Sequence, residues 1–366
     1  MTKHNIEEDM KSQWTASELI RLYKMDRTKT TIYRDEVEKE IPPAQRVRRG
    51  KTLVRLWNNA DLPEIGKKYG FLKPPNFSKI ISVYSPKGGV LKSTFAFNLA
   101  RVLALNGISV LVIGLDVQGT ISTNLKANEE SWENLNEVKD VKGLYEAYKS
   151  PREGGCKLED TIQDSNLPNL KFVPESSNLV HLEQKIRDES RREQALDRLI
   201  RPLKKKFDVI LFDNSPNWNF LIQNSLAAAT DVICPIACDI ETYRSLTQNI
   251  EMINDFKEKM ELDWNNFILI STKLERTKIS TQIEAQYKTL FPDLITACSI
   301  RSAAKGQESS LDKVSAIEYD PESSLAEDYY AVIQDVWNRI NPPDEAALAS
   351  PAKRQRVKRI AVHEEG

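Results

Sequence analysis

The fold is decided by residues 79–94, which read KIISVYSPKGGVLKST. The apolar run at 80–84 predicts a buried strand, and the residues from Thr94 onward predict a helix. Two adjacent glycines lie between these elements. A strand, a glycine-rich turn and a helix in this order are typical of a phosphate-binding loop, because the turn and the helix N-terminus together present unpaired backbone N–H groups.

Every residue of the loop is a candidate for nucleotide binding. Gly88 and Gly89 allow backbone amides to approach phosphate oxygens, and Lys92 is expected to reach the β- and γ-phosphates. The Ser93 hydroxyl is expected to coordinate Mg²⁺. The general pattern G-x-x-x-x-G-K-S/T has glycine where this chain has Leu91, and it does not explain the lysine at the start of the loop. The candidate set is Lys87, Gly88, Gly89, Val90, Leu91, Lys92, Ser93 and Thr94.

Further apolar runs alternate with helix-like segments downstream of this loop. The runs are continuous rather than alternating, which indicates strands that are covered on both faces. Strands separated by helices predict an α/β fold with a doubly wound, mostly parallel sheet. The predicted strands are 80–84, 110–113, 170–173, 208–212, 232–236 and 267–270, and a last helix is predicted at 324–339.

Length and composition favour two unequal domains. The 366 residues are 40% hydrophobic and 29% charged, with a formal net charge of −1. The X-Pro steps at 73–76 are typical of a linker. We therefore expect a small domain at 14–75 and a larger domain with the phosphate loop at 76–341. They are flanked by a flexible N-terminus at 1–13 and a disordered basic tail at 342–366.

Two carboxylates are placed to act on a bound nucleotide. Asp116 follows the strand predicted at 110–113, and Asp213 follows the strand predicted at 208–212. A carboxylate at the carboxyl end of a strand can position water or hold Mg²⁺ beside a phosphate site. We therefore expect Asp213 to bind Mg²⁺ together with Ser93. The alternative for Asp116 is that it only caps a turn.

The loop and these carboxylates resemble the deviant Walker A ATPases of the ParA/MinD family. Residues 87–93 match the family's K-G-G-x-x-K-S/T motif, and residues 114–119 match its D-x-D-P-Q-G switch, with Gly114 and Val117 in place of Asp and Pro. Residues 207–216, 229–236 and 317–323 are similar to three further family blocks. The plasmid-partition ParA branch is similar in tolerating a bulky residue at position 91.

The resemblance implies a mechanism. ATP, with Mg²⁺, would drive formation of a homodimer in which Lys87 reaches the partner's phosphates. Lys87, Lys92 and Asp116 would be the catalytic residues, with Asp116 orienting the attacking water. The ATP-loaded dimer would bind nonspecific DNA, in part through the basic residues Lys273, Arg276, Lys278, Arg301 and Lys305. A ParB-type centromere-binding protein would stimulate an otherwise weak ATPase and release the DNA.

The small N-terminal domain is predicted to be a winged helix-turn-helix. Thr15 and Glu18 form a capping-box pattern before a first helix, and a second helix is expected at 28–39. A basic hairpin around Gly50 would form the wing. The domain could bind an operator and repress its own operon, whereas the simpler alternative is a protein-interaction domain. The candidate DNA-binding residues are Thr28, Lys29, Thr31, Arg34, Arg46, Arg48, Arg49 and Lys51.

Other functional classes are less consistent with the sequence. The four cysteines include no C-x-x-C pair, which argues against zinc or an iron–sulfur reductase. The tail lacks the apolar face of a membrane-binding helix, so we expect a cytoplasmic, nucleoid-associated protein and no membrane partner. Two alternatives stay open: a transcriptional regulator that binds nucleotide with little turnover, and a MinD-like regulator at a membrane.

Overall fold

The computed structural model describes residues 12–126, 142–303 and 305–342. The predicted flexible N-terminus at 1–13 and basic tail at 342–366 lie almost entirely outside the described residues. Residues 12–75 form a small layer of helices against a three-stranded antiparallel sheet in the described part of the chain. Its elements are β1 (Gln13–Trp14), α1 (Ala16–Leu22), α2 (Lys29–Val37), β2 (Gln45–Arg49), β3 (Thr52–Asn58) and α3 (Leu62–Tyr69).

The start of α1 has the predicted capping box. The Glu18 backbone N–H donates to Thr15 Oγ1 at 3.3 Å, and the Thr15 N–H donates to Glu18 Oε2 at 2.8 Å. The predicted hairpin is formed by β2 and β3, which pair from Gln45–Leu56 to Arg49–Thr52. The sequence did not predict β1 or α3, and the second helix is shorter than predicted because it ends at Val37.

The larger part of the chain is built on a seven-stranded sheet within the described residues, in the order β10-β9-β4-β8-β5-β7-β6. All of its pairings are parallel except that of the short edge strand β6 with β7. The predicted doubly wound, mostly parallel fold is therefore confirmed. Its strands are β4 (Lys79–Val83), β5 (Val110–Leu115), β6 (Gln163–Asp164), β7 (Leu170–Val173), β8 (Val209–Asn214), β9 (Asp231–Ala237) and β10 (Asn266–Thr272).

Helices cover both faces of this sheet. Side chains of β4 alternate between two apolar clusters: Ile81 and Val83 pack in the first, and Ile80 packs in the second. This alternation explains why the strands appear in the sequence as continuous apolar runs. The helices are α4 (Lys92–Leu105), α5 (Thr120–Leu125), α6 (Leu144–Tyr148), α7 (Leu179–Arg187), α8 (Ala195–Ile200), α9 (Phe220–Ala228), α10 (Ile240–Lys259), α11 (Lys278–Leu290), α12 (Lys305–Leu311), α13 (Ala316–Tyr319) and α14 (Ser324–Ile340).

The N-terminal part and the large sheet share one apolar core. A single cluster contains Trp14, Leu19 and Ile65 together with residues of α4 and α14. The Tyr23 hydroxyl lies 2.7 Å from the Leu62 carbonyl oxygen and 3.0 Å from that of Leu105, the last residue of α4. The two predicted domains are thus packed into one continuous body.

Close backbone contact reinforces this junction. A Cβ atom built on Gly66 of α3 would lie 1.7 Å from the Leu105 carbonyl oxygen, so α3 can approach the end of α4 only with glycine at this position. On the other side, the Tyr330 hydroxyl of α14 donates to the Leu22 carbonyl oxygen at 2.6 Å. The first contact fixes the N-terminal part against the end of α4, the helix that follows the phosphate loop, and the second fixes it against α14.

A buried ion pair joins α4 to the segment near the C-terminus. Arg101 of α4 donates from Nε and Nη2 to the two carboxylate oxygens of Glu318 in α13, both at 2.7 Å. Each side chain is only 1% exposed. Residues 317–323 are similar to a block of the ParA/MinD family. The ion pair with Arg101 gives Glu318 of this segment a structural role. In the part of the chain that the structure describes, no helix is both long and apolar enough to cross a membrane.

Candidate nucleotide-binding site

The predicted phosphate loop connects the end of β4 to the start of α4. The Thr272 hydroxyl, at the end of β10, donates to the Val90 carbonyl oxygen at 3.0 Å and holds the loop against the sheet. Leu91 lies immediately before α4 with φ 64° and ψ 31°, a left-handed conformation. Because α4 begins at Lys92, the first N–H groups of this helix lack helical acceptors and provide donors for an anion.

Lys92 lies inside the loop. Its side chain is buried, and its Nζ donates to the Lys87 carbonyl oxygen at 3.2 Å. Burial lowers the pKa of this ammonium group, and the negative charges of Asp213 and Asp116 oppose that effect. Lys92 therefore lies within electrostatic reach of both predicted acidic residues.

Lys87 points away from the loop interior. Its Nζ donates to Glu241 Oε2, near the start of α10, at 2.6 Å, and the Glu241 side chain is 80% exposed. The hydrogen bond to Glu241 raises the pKa of Lys87. The two lysines of the loop thus have different environments: Lys92 is enclosed, and Lys87 is paired at the surface.

Asp213 lies at the bottom of the site, beside Ser93 and Lys92. It is fully buried near the end of β8, and among the described residues neither of its carboxylate oxygens has a hydrogen-bond partner. Burial raises its pKa to about 8; the nearby Ser93 hydroxyl and Lys92 oppose this rise, and Glu175 adds to it. A buried carboxylate is costly unless it is paired or binds a cation. A hard oxygen donor set of Asp213 and Ser93 suits Mg²⁺.

Asp116 follows β5 and begins an exposed loop. Its Oδ1 accepts a hydrogen bond from the Gln118 N–H at 3.1 Å, and its carbonyl oxygen accepts one from the Gly119 N–H at 3.1 Å. Asp116 therefore does cap a turn. Its negative charge also acts on Lys92 and Asp213, so it belongs to the same electrostatic cluster. An open cleft of about 350 Å³ adjoins it, with half-exposed Val117 and Val180 at its sides.

The sequence reasoning missed one acidic residue of the cluster. Glu175 lies just beyond β7 and is 9% exposed. Burial raises its pKa to about 7, against the opposing hydrogen bonds from Ser122, while the charge of Asp116 adds to the rise. The signal that could have found it is the one that identified Asp116 and Asp213, an acid shortly after an apolar strand.

The structure therefore brings residues 87–94, Asp116 and Asp213 to one edge of the sheet. This happens because β8 lies between β4 and β5, with Asp213 paired to Val83 on one side and to Gly114 on the other. The carboxyl ends of parallel strands meet at the same edge, which is where open α/β sheets bind their ligands.

The candidate DNA-binding residues precede the phosphate loop in the chain. They lie at or near the start of α2 and on the β2–β3 hairpin. Thr28 and Lys29, at the start of α2, are exposed, whereas Thr31 is half-buried. Two of the arginines are engaged within the N-terminal part: Arg34 pairs with Asp35 at 3.1 Å and Arg46 with Glu36 at 3.6 Å. Within the described ranges, no acid lies at ion-pair distance from the other basic members of the set, which are Lys29, Arg48, Arg49 and Lys51.

The second basic set is divided in the same way. Arg301 makes a two-point ion pair with Asp328, at 2.6 and 2.8 Å, and Lys305 pairs with Asp320 at 2.5 Å. Lys273, Arg276 and Lys278 are exposed around the start of α11, and the described part of the chain offers them no ion-pair partner. Within this set, and among the described residues, the three residues around the start of α11 are therefore the ones without an acidic partner.

An acid that emerges from the strand beside a phosphate loop is the arrangement by which P-loop nucleoside triphosphatases hold a phosphate-bound metal ion. Fold and site together assign the chain to this class. A family model described as an AAA domain matches residues 78–266, more than half of the chain, and the chain belongs to that family. Relatives that are 26% identical to the chain include a chromosome partitioning protein ParA and the sporulation initiation inhibitor protein Soj, in agreement with the ParA/MinD-like motifs of the sequence.

Similar proteins include two from Myxococcus xanthus. The cell division protein PomZ is 28% identical over 256 residues, which cover 69% of this chain and 76% of PomZ. The chromosome partitioning protein ParA is 26% identical over 266 residues, covering 72% of this chain and 89% of ParA. Among solved structures, a plasmid partition protein from Borrelia burgdorferi bound to AMPPNP has a TM-score of 0.58 and 22% identity. That match covers 72% of this chain and 99% of the Borrelia chain, and it supports the fold.

Proposed function

We propose that this chain is a DNA-partition ATPase of the ParA type. The observation that carries the proposal is the pair of lysines in one loop, with Lys92 enclosed beside Asp213 and Lys87 at the surface. A general P-loop needs only the first of these. A second lysine at the surface is suited to the nucleotide of another copy of the chain, so ATP would drive formation of a homodimer.

The residues of the loop fit ATP and Mg²⁺. Ser93 and Asp213 would hold the metal, which, when bound, neutralises charge on the phosphates. Lys92 would bind the β- and γ-phosphates, and residues 88–91 would surround them. Asp116 would orient the water, since it lies at the open cleft and within electrostatic reach of Lys92.

The N-terminal part would act as a winged helix-turn-helix. The two helices α1 and α2, followed by the β2–β3 hairpin, have the order of such a module, and Lys29, Arg48, Arg49 and Lys51 would contact DNA phosphates. Thr28 and Thr31 would add contacts at the start of α2. The module would recognise an operator, and Lys273, Arg276 and Lys278 would add nonspecific DNA affinity. Both kinds of binding should weaken steeply with salt.

A partner would complete the cycle. A ParB-type centromere-binding protein would accelerate a weak ATPase and release the DNA, and the chain would work on the nucleoid in the cytoplasm. This part of the proposal is supported by the name of the Myxococcus relative, a chromosome partitioning protein.

One observation favours a second function, a transcriptional regulator for which ATP is mainly a ligand. The Asp116 carboxylate already accepts the Gln118 N–H at 3.1 Å, in a switch that departs from the family motif at Gly114 and Val117. Phosphate release measured with and without DNA, with Asp116→Ala as the inactive control, separates the two functions. If the wild-type protein releases phosphate no faster than Asp116→Ala, the transcriptional regulator is favoured.

The proposed function is tested by DNA binding without nucleotide, with ADP and with ATP. Fluorescence anisotropy on a random duplex and on a duplex from upstream of the gene should show ATP-dependent binding to both. Lys92→Ala should lose ATP-dependent DNA binding because it no longer binds ATP. Lys87→Ala should bind ATP but fail to dimerise, and should therefore also lose this DNA binding. Lys171→Ala, an exposed lysine paired with Asp164, is the matched control. Equal binding under all three nucleotide conditions would rule out the switch.

A further inference from the structure

Glu175 occupies the space of a missing side chain. Gly114 is paired with Asp213 across β5 and β8, and the family motif has Asp where this chain has Gly114. A Cβ atom built on Gly114 would lie 2.2 Å from Cδ and Cγ of Glu175 and 2.3 Å from its Oε1. The carboxylate of Glu175 therefore lies where a residue at position 114 would place its own side chain, next to Asp213.

The two oxygens of Glu175 have different surroundings. Oε2 accepts a hydrogen bond from the Ser122 N–H of α5 at 3.1 Å, while the Glu175 N–H donates to Ser122 Oγ at 3.0 Å. Oε1 is buried and, among the described residues, has no hydrogen-bond partner. One oxygen thus ties β7 to the helix that follows the Asp116 loop, and the other is left without a donor.

Among the described residues, the carboxylate oxygens without a hydrogen-bond donor, Oε1 of Glu175 and both oxygens of Asp213, belong to one cluster of acidic residues. Glu175 and Asp213 interact electrostatically, as do Glu175 and Asp116. Within the described ranges, no lysine, arginine or histidine makes an ion pair with Glu175 or Asp213, although Lys92 lies near enough to act on Asp213. Buried carboxylates without hydrogen bonds are expensive in water-free surroundings, and a bound cation is the usual compensation.

We propose that Glu175 supplies a second carboxylate, beside Asp213, to the Mg²⁺ site, so that in this chain the acid comes from the end of β7 instead of from position 114 of β5. The inference rests on the proposed function, since it concerns the metal that would accompany ATP. The two oxygens would have separate roles: Oε1 would contribute to the metal site, and Oε2 holds the start of α5, which follows the Asp116 loop.

The first test is the Mg²⁺ dependence of binding of a fluorescent ATP analogue. Glu175→Gln keeps an acceptor for the Ser122 N–H but removes the charge, so the fold and metal-free nucleotide binding should persist. The Mg²⁺ concentration at half-saturation should rise about tenfold or more, in the range seen when residues supporting a metal site are changed. Glu183→Gln, which changes a partly exposed acid on α7 that pairs with Arg187, should leave that concentration unchanged.

The second test exchanges the carboxylate between the strands. Gly114→Asp alone should be destabilised, because the new side chain collides with Glu175. In the double variant Gly114→Asp/Glu175→Ala, the collision is absent and an acid is restored, so the Mg²⁺ half-saturation should return to within about threefold of wild type while Glu175→Ala stays weak. Thermal unfolding without Mg²⁺ reports whether each variant is folded.

These outcomes separate the inference from the proposed function. If Glu175→Gln has the Mg²⁺ dependence of the wild type and only Lys92→Ala loses nucleotide binding, Glu175 has no role in the metal site. The proposed ATPase function would then still stand. If the double variant is folded but needs as much Mg²⁺ for half-saturation as Glu175→Ala, an acid at position 114 cannot replace Glu175, and this part of the inference is wrong. If the wild-type chain binds no Mg²⁺–nucleotide at all, the proposed function fails first.

Discussion

Leu91 stores backbone strain next to the phosphate site. A left-handed conformation costs a residue with a Cβ atom roughly 1–2 kcal/mol, and β-branched residues are the least compatible with it. Leu91 is held there because the loop is fixed on one side by the Thr272–Val90 hydrogen bond and on the other by α4. Strain of this kind persists only where the surrounding structure determines the conformation.

This strain predicts different effects on stability for two substitutions at the same position. Leu91→Gly should change the free energy of unfolding by less than about 1 kcal/mol, because relief of strain is offset by the greater chain entropy of glycine. Leu91→Val should destabilise the protein by about 1 kcal/mol or more. Urea unfolding measures both, with Leu311→Val at an exposed helical site as the control. An equally stable Leu91→Val would show that the loop is not strained.

The Lys87–Glu241 ion pair competes with the role proposed for Lys87. Lys87 must leave Glu241 if it is to reach the phosphates of a second chain. Because an exposed pair contributes little, Glu241→Gln should strengthen ATP-dependent dimerisation by no more than about fivefold. Sedimentation velocity with a non-hydrolysable ATP analogue measures this, and Glu251→Gln, exposed on the same helix, should have no effect. Weaker dimerisation in Glu241→Gln would mean that the glutamate helps the contact instead.

At the scale of elements, α4 connects three parts of the molecule. It begins at the phosphate loop with Lys92, pairs with α13 through Arg101, and ends at the Leu105 carbonyl beside Tyr23. The Arg101–Glu318 pair is fully buried, so removing one partner leaves an unpaired charge in the core. Although burial acts to raise it, the charge and hydrogen bonds of Arg101, and then those of Ser315, hold the pKa of Glu318 below its ordinary value.

Glu318→Gln should therefore lower the free energy of unfolding at pH 7 by about 3–5 kcal/mol. The sign of the pH dependence follows from the lowered pKa in the folded state. The contribution of Glu318 is complete above the unfolded pKa of about 4.3 and is lost as the pH falls through the folded value. Urea unfolding between pH 7 and pH 3 should show a smaller decline below pH 5 for Glu318→Gln than for wild type. Glu322→Gln, 71% exposed, should follow the wild type.

The sequence was sufficient for the elements that have a strong local signal. Six predicted strands occur within a few residues of their predicted limits, because each is a continuous apolar run between two helices. The short strands β1 and β6 have two residues each, too few for any periodicity to appear. The phosphate loop was predicted from its glycine-rich motif between a strand and a helix, and Asp116 and Asp213 from their positions at strand ends together with the family resemblance.

What the sequence could not predict depends on contacts between distant segments. The position of Glu175 after an apolar strand marks it as a candidate acid, but its contact with Gly114, 61 positions earlier in the chain, appears only in the structure. The prolines at 74 and 75 indicate a linker between two domains, but they give no sign that Tyr23 and Gly66 pack onto the end of α4 across that segment. The Trp337 indole N–H even donates to the Lys73 carbonyl oxygen at 2.9 Å, so the connecting chain is itself held by α14.

For the whole molecule, the shared core fixes the β2–β3 hairpin at one angle to the nucleotide edge. If two chains face each other across ATP as proposed, their hairpins are separated by a constant distance and cannot adjust to the DNA independently. The operator should then tolerate only one helical phase between its half-sites. Insertion of about 5 base pairs, half a turn, should abolish specific binding, and insertion of about 10 should restore part of it. Gel shifts on a spacer series measure this; equal binding at every spacing would mean that the hairpins move freely.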